Sequence, residues 1–476
     1  MRTALSRREF LEAAAAAGIA AAGVPSVPAV GADANPACLE GGKSGGAVTR
    51  IRKIYLAKPV PTWPKPNLDV SAEMRRIDGI LAGMAERFDG IRFEGGDLFR
   101  AMDGSDVPES AAALGNPDGL LVFNLTSTVG ASLRRLAALG PPTVLFSQPY
   151  SGHEWSAVAG LQAAGHRILC LATSDFGEIP GACRLVRTIH RLRNTRIIHI
   201  SNGPFNADRA ARIRERFGAT VVSVLPDRVN AAYKAVSEDA AVAEMHEWKS
   251  GAERVVEPSD RTIADAGRLY LALRRIMDEE HAQAVTIDCL ALFAAKVLPA
   301  YPCLAFAKLN DLGLTGVCEA DMDSTLTQLI LTYAFGVPGF VSDPVIDTSN
   351  NTVIHAHCVS ATRMDGPSGP RAPYIIRSHL EDDKGASLQV RMRIGQVITT
   401  AKLVNLDTML ISTGTITDTP DVDRGCRTKI TTKVADARKV LRHYSGGLHR
   451  VIAYGDRTAA IEDLATLMGL NVVREC

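Results

Sequence analysis

The stretch "DGLLVFNL", Asp118–Leu125, decides the fold. Its middle is an unbroken apolar run, with no polar residue at alternate positions. A half-exposed strand would alternate, so this one reads as buried on both faces, the mark of a parallel strand covered by helices. Similar runs lie on either side of it. They are "IRKIYLA" from Ile51, "PTVLFS" (Pro142–Ser147), "HRILCLA" (His166–Ala172), "TRIIHIS" (Thr195–Ser201) and "ATVVSVL" (Ala219–Leu225). Between them fall helical candidates at Val129–Leu139, Glu154–Ala164, Gly181–Leu192 and Asn206–Phe217. Strands and helices that take turns define an α/β architecture.

The pattern resumes after a helical stretch, Ile263–Glu280, with "AVTIDCLALF". From about Pro373 the texture changes. "PYIIRSHLE", "ASLQVRMRIG", "QVITTAKLVNL" and "TMLISTGTIT" are β-rich and partly alternating, which predicts an antiparallel sheet or barrel. The chain closes with a helical pattern, "RTAAIEDLATLMGL", and a last strand, "NVVRE". The expectation is two Rossmann-like parallel α/β domains, residues 35–180 and 181–335. A β-rich, barrel-like domain over 336–476 would follow and complete the site.

The N-terminus reads differently. "SRREFLEAAAAAGIAAAGVPSVPAVGADA", Ser6–Ala34, sets Arg7 and Arg8 before an Ala/Gly-rich run and ends in a small-x-small triplet. This is the layout of a twin-arginine export signal over residues 1–34. The run from Ala13 to Val24 is about half the roughly 20 residues a spanning helix needs. No later segment is long and apolar enough either. The expected location is periplasmic or secreted, with the twin-arginine export machinery as partner and no membrane span in the mature chain. "GGKSGG", Gly41–Gly46, reads as a linker after the signal.

Composition narrows the function. Hydrophobic residues make up 46% and charged residues 22%, enough for a large core and unlike a disordered chain. A net charge of +1 gives no electrostatic case for nucleic acid or an anionic membrane. Nine cysteines with no C-x-x-C pair do not make a disulfide scaffold. Cys170, Cys289 and Cys303 read as small core residues. A chain folded in a reducing cytoplasm before export suits that scarcity. Neither a dinucleotide glycine fingerprint nor a phosphate loop or H-E-x-x-H occurs, so nucleotide chemistry and zinc proteolysis have no support.

A few polar positions stand out. Glu319 precedes "STLTQLILTYAFG" at an expected helix N-terminus, where carboxylates are common because the helix dipole favours them. Asp343 stands before Pro344, so it belongs at a strand end or in a turn. His449 follows the Gly446–Gly447 pair, which suggests a tight turn or a close backbone approach. His355 and His357 in "TVIHAHC" fall on one face of a strand, as two ligands or with one as a buried, hydrogen-bonded histidine. Taken singly, Glu319, Asp343 and His449 each have an ordinary structural explanation.

Together they do not. "GVCEADMDSTLTQLILTYAFGVPGFVSDPVIDTSNNTVIHAHC", Gly316–Cys358, resembles the fucose isomerase and arabinose isomerase family. So do "GGLHRVIAYGDRTAAIEDLATLMGLNVV", Gly446–Val473, and "RLRNTRIIHISNG" near the start of the second domain. The resemblance implies a divalent cation, usually manganese, held by Glu319, Asp343 and His449. It implies aldose–ketose isomerisation of a small carbohydrate and agrees with the three-domain expectation. That reaction moves a proton between C1 and C2 through an enediol, and a cation holding both oxygens polarises the carbonyl. Carboxylate and imidazole ligands suit manganese. Glu319 and Asp343 are the candidates to take and return the proton, their division of labour open.

The chain is shorter than a typical fucose isomerase. In that family the first domain often covers a neighbouring subunit's site, which implies a homo-oligomer. Here "FSQPYSGHEW", Phe146–Trp155, carries no motif that maps onto the family, and His153 and Trp155 are sugar-contact candidates or ordinary surface and core residues. Two other readings stand beside isomerisation. One is another carbohydrate reaction, glycoside cleavage or epimerisation, on the same scaffold. The other is a non-catalytic periplasmic sugar-binding protein, against which the three metal-type residues argue.

Overall fold

A computed structural model describes residues 48–476 of the chain. The expected signal segment, with Arg7 and Arg8, lies outside the described residues. Among the described residues, no helix is long and apolar enough to cross a membrane.

The opening run is the central strand of the first sheet. This sheet contains β1 (Thr49–Leu56), β2 (Ile91–Phe99), β3 (Gly119–Asn124), β4 (Thr143–Phe146) and β5 (Ile168–Leu171). All its pairings are parallel, in the order β2-β1-β3-β4-β5. Every residue of β3 and β4 is buried, as an unbroken apolar run between helical layers requires.

The second sheet is also parallel. Its strands are β6 (Arg196–Ile200), β7 (Thr220–Val224), β9 (Ala284–Ile287) and β10 (Thr315–Val317), in the order β10-β9-β6-β7. The intervening β8 (Arg254–Val255) pairs elsewhere. The expected helices form, with small shifts. Asn206 lies outside the helix Ala207–Phe217 and caps it, its side chain accepting from Arg209 N. "AVTIDCLALF" is not one element. β9 ends at Ile287, and Cys289–Ala294 is a short helix.

The β-rich region is a closed antiparallel barrel of six strands. They are β11 (Phe340–Asp347), β12 (Thr352–His357), β15 (Val397–Val404), β16 (Thr408–Asp418), β17 (Thr428–Lys433) and β18 (Arg450–Tyr454). The order is β15-β18-β11-β12-β17-β16, and β16 pairs back to β15. Closure removes the open edges that an antiparallel sheet would otherwise expose. β19 (Asn471–Arg474) adds to β16 in parallel. Two of the expected strands stay out of the barrel. β13 (Tyr374–His379) and β14 (Lys384–Val390) form a hairpin, and β8 joins it through β13.

Alternation along β18 sorts the barrel's two faces. Val451 and Ala453 belong to the core that contains Leu326 and Leu329, on the buried helix Met322–Phe335. Ile452 and Tyr454 belong to a separate core with Phe340, Ile398 and Ile430. His449, one residue before β18, therefore falls in phase with the helix-facing side.

Candidate metal centre

Glu319 sits in the turn between β10 and the helix Met322–Phe335. Sequence reading put it at the helix start, and the structure corrects this. Asp321 is the N-cap, its side chain accepting from Ser324 N at 3.0 Å and Ser324 Oγ at 2.7 Å. Glu319 and Ala320 both have left-handed backbones, φ +60° and +52°. Such geometry in a non-glycine residue costs on the order of 1–3 kcal/mol and persists where the surroundings impose it. Here Ala320 N donates to Ile287 O at 2.9 Å, which ties the turn to β9.

Asp343 lies inside β11, not at a strand end or in a turn. The strand passes through Pro344 because its neighbours change there. β11 pairs with β18 as far as Ser342, and from Asp343 onward pairs with β12 alone. Pro344 has no N–H to give, so it is tolerated where one side of the strand is free.

His449 reaches this corner from the start of β18. Its Nδ1 is 2.8 Å from Asp321 Oδ2. Its Nε2 faces Asp343 Oδ1 at 3.2 Å and Glu319 Oε2 at 3.5 Å. Asp321 also accepts from Lys402 Nζ at 2.5 Å. An ionised Asp321 makes Nδ1 the protonated nitrogen and leaves the Nε2 lone pair aimed at the two carboxylates. Carboxylate–histidine pairs orient metal ligands in this way. Burial opposes charge on Asp321, but hydrogen bonds from His449 and Lys402 outweigh it and hold the carboxyl well below its usual range. Burial likewise opposes charge on His449. Its Nδ1 bond to Asp321 and the Asp343 carboxylate facing Nε2 prevail and raise it to about 9, so the Nε2 lone pair becomes available when the ring gives up its second proton. Asp343 is lowered against its burial, chiefly by His449.

His357 joins the cluster with the opposite polarity. Its Nδ1 accepts from Cys358 N at 2.8 Å, so the neutral ring carries its proton on Nε2. That atom lies 3.8 Å from Glu319 and 4.0 Å from Asp343. In its neutral form His449 presents a lone pair to the corner, whereas His357 presents an N–H. Neither Nε2 has a hydrogen-bond partner, although both residues are buried. Two buried orphan nitrogens aimed at carboxylates are costly unless something occupies the space between them.

The potential ligands extend to sulfur. Ligand atoms of Cys318, Glu319 and His357 lie within 4.8 Å of one another, as do those of Asp343, His357 and Cys426. Both groups depend on His357, whose Nδ1 bond makes it a donor. Glu319, Asp343 and His449 are not one of these groups; what joins them is His449 Nε2, 3.5 Å from Glu319 and 3.2 Å from Asp343.

The other predicted residues lie elsewhere. His355 does not share a site with His357. It is buried on β12, with Nδ1 3.1 Å from Ser342 Oγ on β11. β12 ends at His357, whose Nδ1 is taken by the Cys358 backbone N–H, whereas the His355 Nδ1 is paired with Ser342. Burial, then the nearby Arg450 charge, lowers His355 to about 3. His153 packs on Trp63 with ring centroids 5.3 Å apart, and Trp155 is exposed. Both belong to loops of the first sheet.

Sequence reading missed Asp321, Lys402 and the two thiols. Asp321 three residues before Ser324 is an N-cap signature, and Cys318 adjoins Glu319. Nothing in the alternating "ITTAKLV" marks Lys402 as the charge that balances Asp321. No protein-family model matches the chain, and no curated protein matches it in sequence.

Proposed function

We propose that the chain is an exported, metal-dependent aldose–ketose isomerase, an intramolecular oxidoreductase of the fucose and arabinose isomerase kind. One observation carries the reading: His449 Nε2, oriented through the Nδ1 contact with Asp321, is directed at Glu319 and Asp343. Glu319, Asp343 and His449 would hold a divalent cation, with manganese the metal proposed for this oxygen-and-nitrogen set. Such a cation supplies the Lewis acidity that polarises a sugar carbonyl and its neighbouring hydroxyl.

The chain's own groups do the rest. Asp321 keeps the His449 lone pair turned inward, and Lys402 keeps Asp321 ionised. Glu319 and Asp343 are the carboxylates available to take a proton from one sugar carbon and return it to the next. The His357 Nε2–H is placed to donate to a sugar oxygen in the same corner. The left-handed turn at Glu319 holds its carboxylate there without the help of helix geometry.

The two parallel sheets belong, in this reading, to Rossmann-like domains over 35–180 and 181–335, and the barrel region to a third domain over 336–476. The chain works as a homo-oligomer and leaves the cytoplasm folded through the twin-arginine route. Loading the cation before transport gives that route a purpose. Two experiments test these points. Incubation of the purified protein with a panel of aldoses should yield ketoses, and absence of any ketose with manganese present counts against isomerisation. Arg7→Lys with Arg8→Lys should trap the folded precursor in the cytoplasm, whereas mature protein still appearing outside would refute the export route.

A further inference from the structure

We propose that Cys289 and Cys318 form a reversible disulfide, a redox-modified pair set directly against the turn that carries Glu319. The two residues leave neighbouring parallel strands. Thr286 on β9 pairs with Val317 on β10, and each cysteine follows within a few residues. Their sulfurs are 2.8 Å apart, so no other atom lies between them. A disulfide needs about 2.05 Å, which leaves roughly 0.8 Å of approach. Both side chains are buried. Leu290, next in the chain to Cys289, is 47% exposed, which puts the pair within one residue of solvent.

A structural core cysteine would have apolar neighbours and no reactive one. Cys289 instead has a second sulfur against its own, and that sulfur belongs to Cys318, the residue just before Glu319. Cys289 is therefore tied by one sulfur–sulfur contact to the residue that leads into the left-handed turn. Closing the bond draws Cys318 towards Cys289 and pulls on that already costly turn.

The step balances by thiol–disulfide exchange. One cysteine sulfur attacks an external small-molecule disulfide and releases one small thiol, which gives a mixed disulfide. The other cysteine displaces the second small thiol. The two protein thiols are oxidised, and the external disulfide is reduced to two thiols. Export as proposed above would carry the pair from a reducing compartment into an oxidising one after folding. The bond itself does not depend on the isomerase reading, whereas its effect on cation binding does.

The test uses the purified full chain. Incubate it with oxidised glutathione, unfold it in denaturant with iodoacetamide, digest it and read the peptides by mass spectrometry. The expected product joins the Cys289 and Cys318 peptides and is about 2 Da lighter than the sum of the two reduced peptides. Cys183 should carry the alkyl group, and dithiothreitol should restore both thiols. Cys303→Ser should leave the link intact. Full alkylation of Cys289 and Cys318 after oxidation would overturn the proposal, and so would a link from either one to Cys303. The mass readout needs neither metal nor turnover. An intact link in a protein that converts no aldose counts against the isomerase reading alone. In the linked form, manganese affinity should fall at least several-fold and recover on reduction.

Discussion

Two corners of the molecule carry buried or half-buried carboxylates, and they treat them in opposite ways. At the carboxyl end of the first sheet, Glu154 is buried and fully engaged. It accepts from Asn124 Nδ2 at 3.2 Å, Val129 N at 2.9 Å and His153 N at 2.9 Å. Beside it, Phe123, Asn124, Phe146, Gln148 and Tyr150 line a cavity of about 300 Å³. Crevices at the carboxyl ends of parallel strands are where open α/β sheets take ligands. At the other corner, Glu319 and Asp343 face two imidazole nitrogens that have no partner. The first corner uses its carboxylate to fix loops. The second, in the reading proposed above, holds its carboxylates and imidazoles for a cation. Burial alone does not mark a functional acid; what its neighbours leave unpaired does.

The contrast makes graded predictions. The largest effect belongs to Glu319→Gln, which keeps shape but removes a base and weakens a ligand. Turnover should fall by about 10²–10⁴-fold or more, with thermal unfolding little changed. Near-normal turnover would remove Glu319 from the mechanism. Glu154→Gln should behave the other way round. It leaves N–H donors facing a neutral amide in a buried site, at about 1–3 kcal/mol of stability. Its Tm should drop, while any turnover at the Glu319 corner persists in the folded fraction. Loss of turnover with unchanged Tm would dissolve the distinction between the corners.

His355 offers a subtler check against His449, because their shifts are opposite. Its folded pKa is about 3, below the roughly 6.5 of a free histidine. The unfolded chain therefore binds a proton that the folded chain refuses. The contribution of His355 is complete above about pH 6.5 and declines as pH falls towards 3. Denaturant titrations of the metal-free protein should show stability falling across that window, with a shallower fall in His355→Asn. Equal slopes would show that His355 is not buried as neutral imidazole. The smallest effect belongs to Trp155→Ala at an exposed site, within about 0.5 kcal/mol of wild-type stability. A rise in KM at unchanged kcat would show that Trp155 helps bind the sugar.

Much of this was legible in the chain. "DGLLVFNL" and its relatives are β-branched or leucine-rich runs long enough for one strand each, and burial on both faces leaves them no other pattern. Glu319, Asp343 and His449 were expected as a set, and the structure brings the two carboxylates to within 3.5 Å and 3.2 Å of His449 Nε2. What could not be read is non-local. Nothing in "RV" at Arg254–Val255 says that it pairs with Tyr374–His379, and nothing in "TVIHAHC" says that one histidine turns inward and the other into the corner. Those outcomes depend on which strands become neighbours. The same holds for Asp321, an ordinary helix cap by sequence that also orients His449. The left-handed turn at Glu319 has no glycine to announce it.

The central claim is that Glu319, Asp343 and His449 together hold a divalent cation. Its most direct test is the manganese content and electron paramagnetic resonance of freshly purified wild-type protein beside His449→Gln and Asp343→Asn. The wild type should carry about one ion per chain in a low-symmetry nitrogen-and-oxygen environment, and each variant should lose it while staying folded. Wild-type protein that binds no divalent ion, or His449→Gln protein that binds as tightly as wild type, would contradict the account.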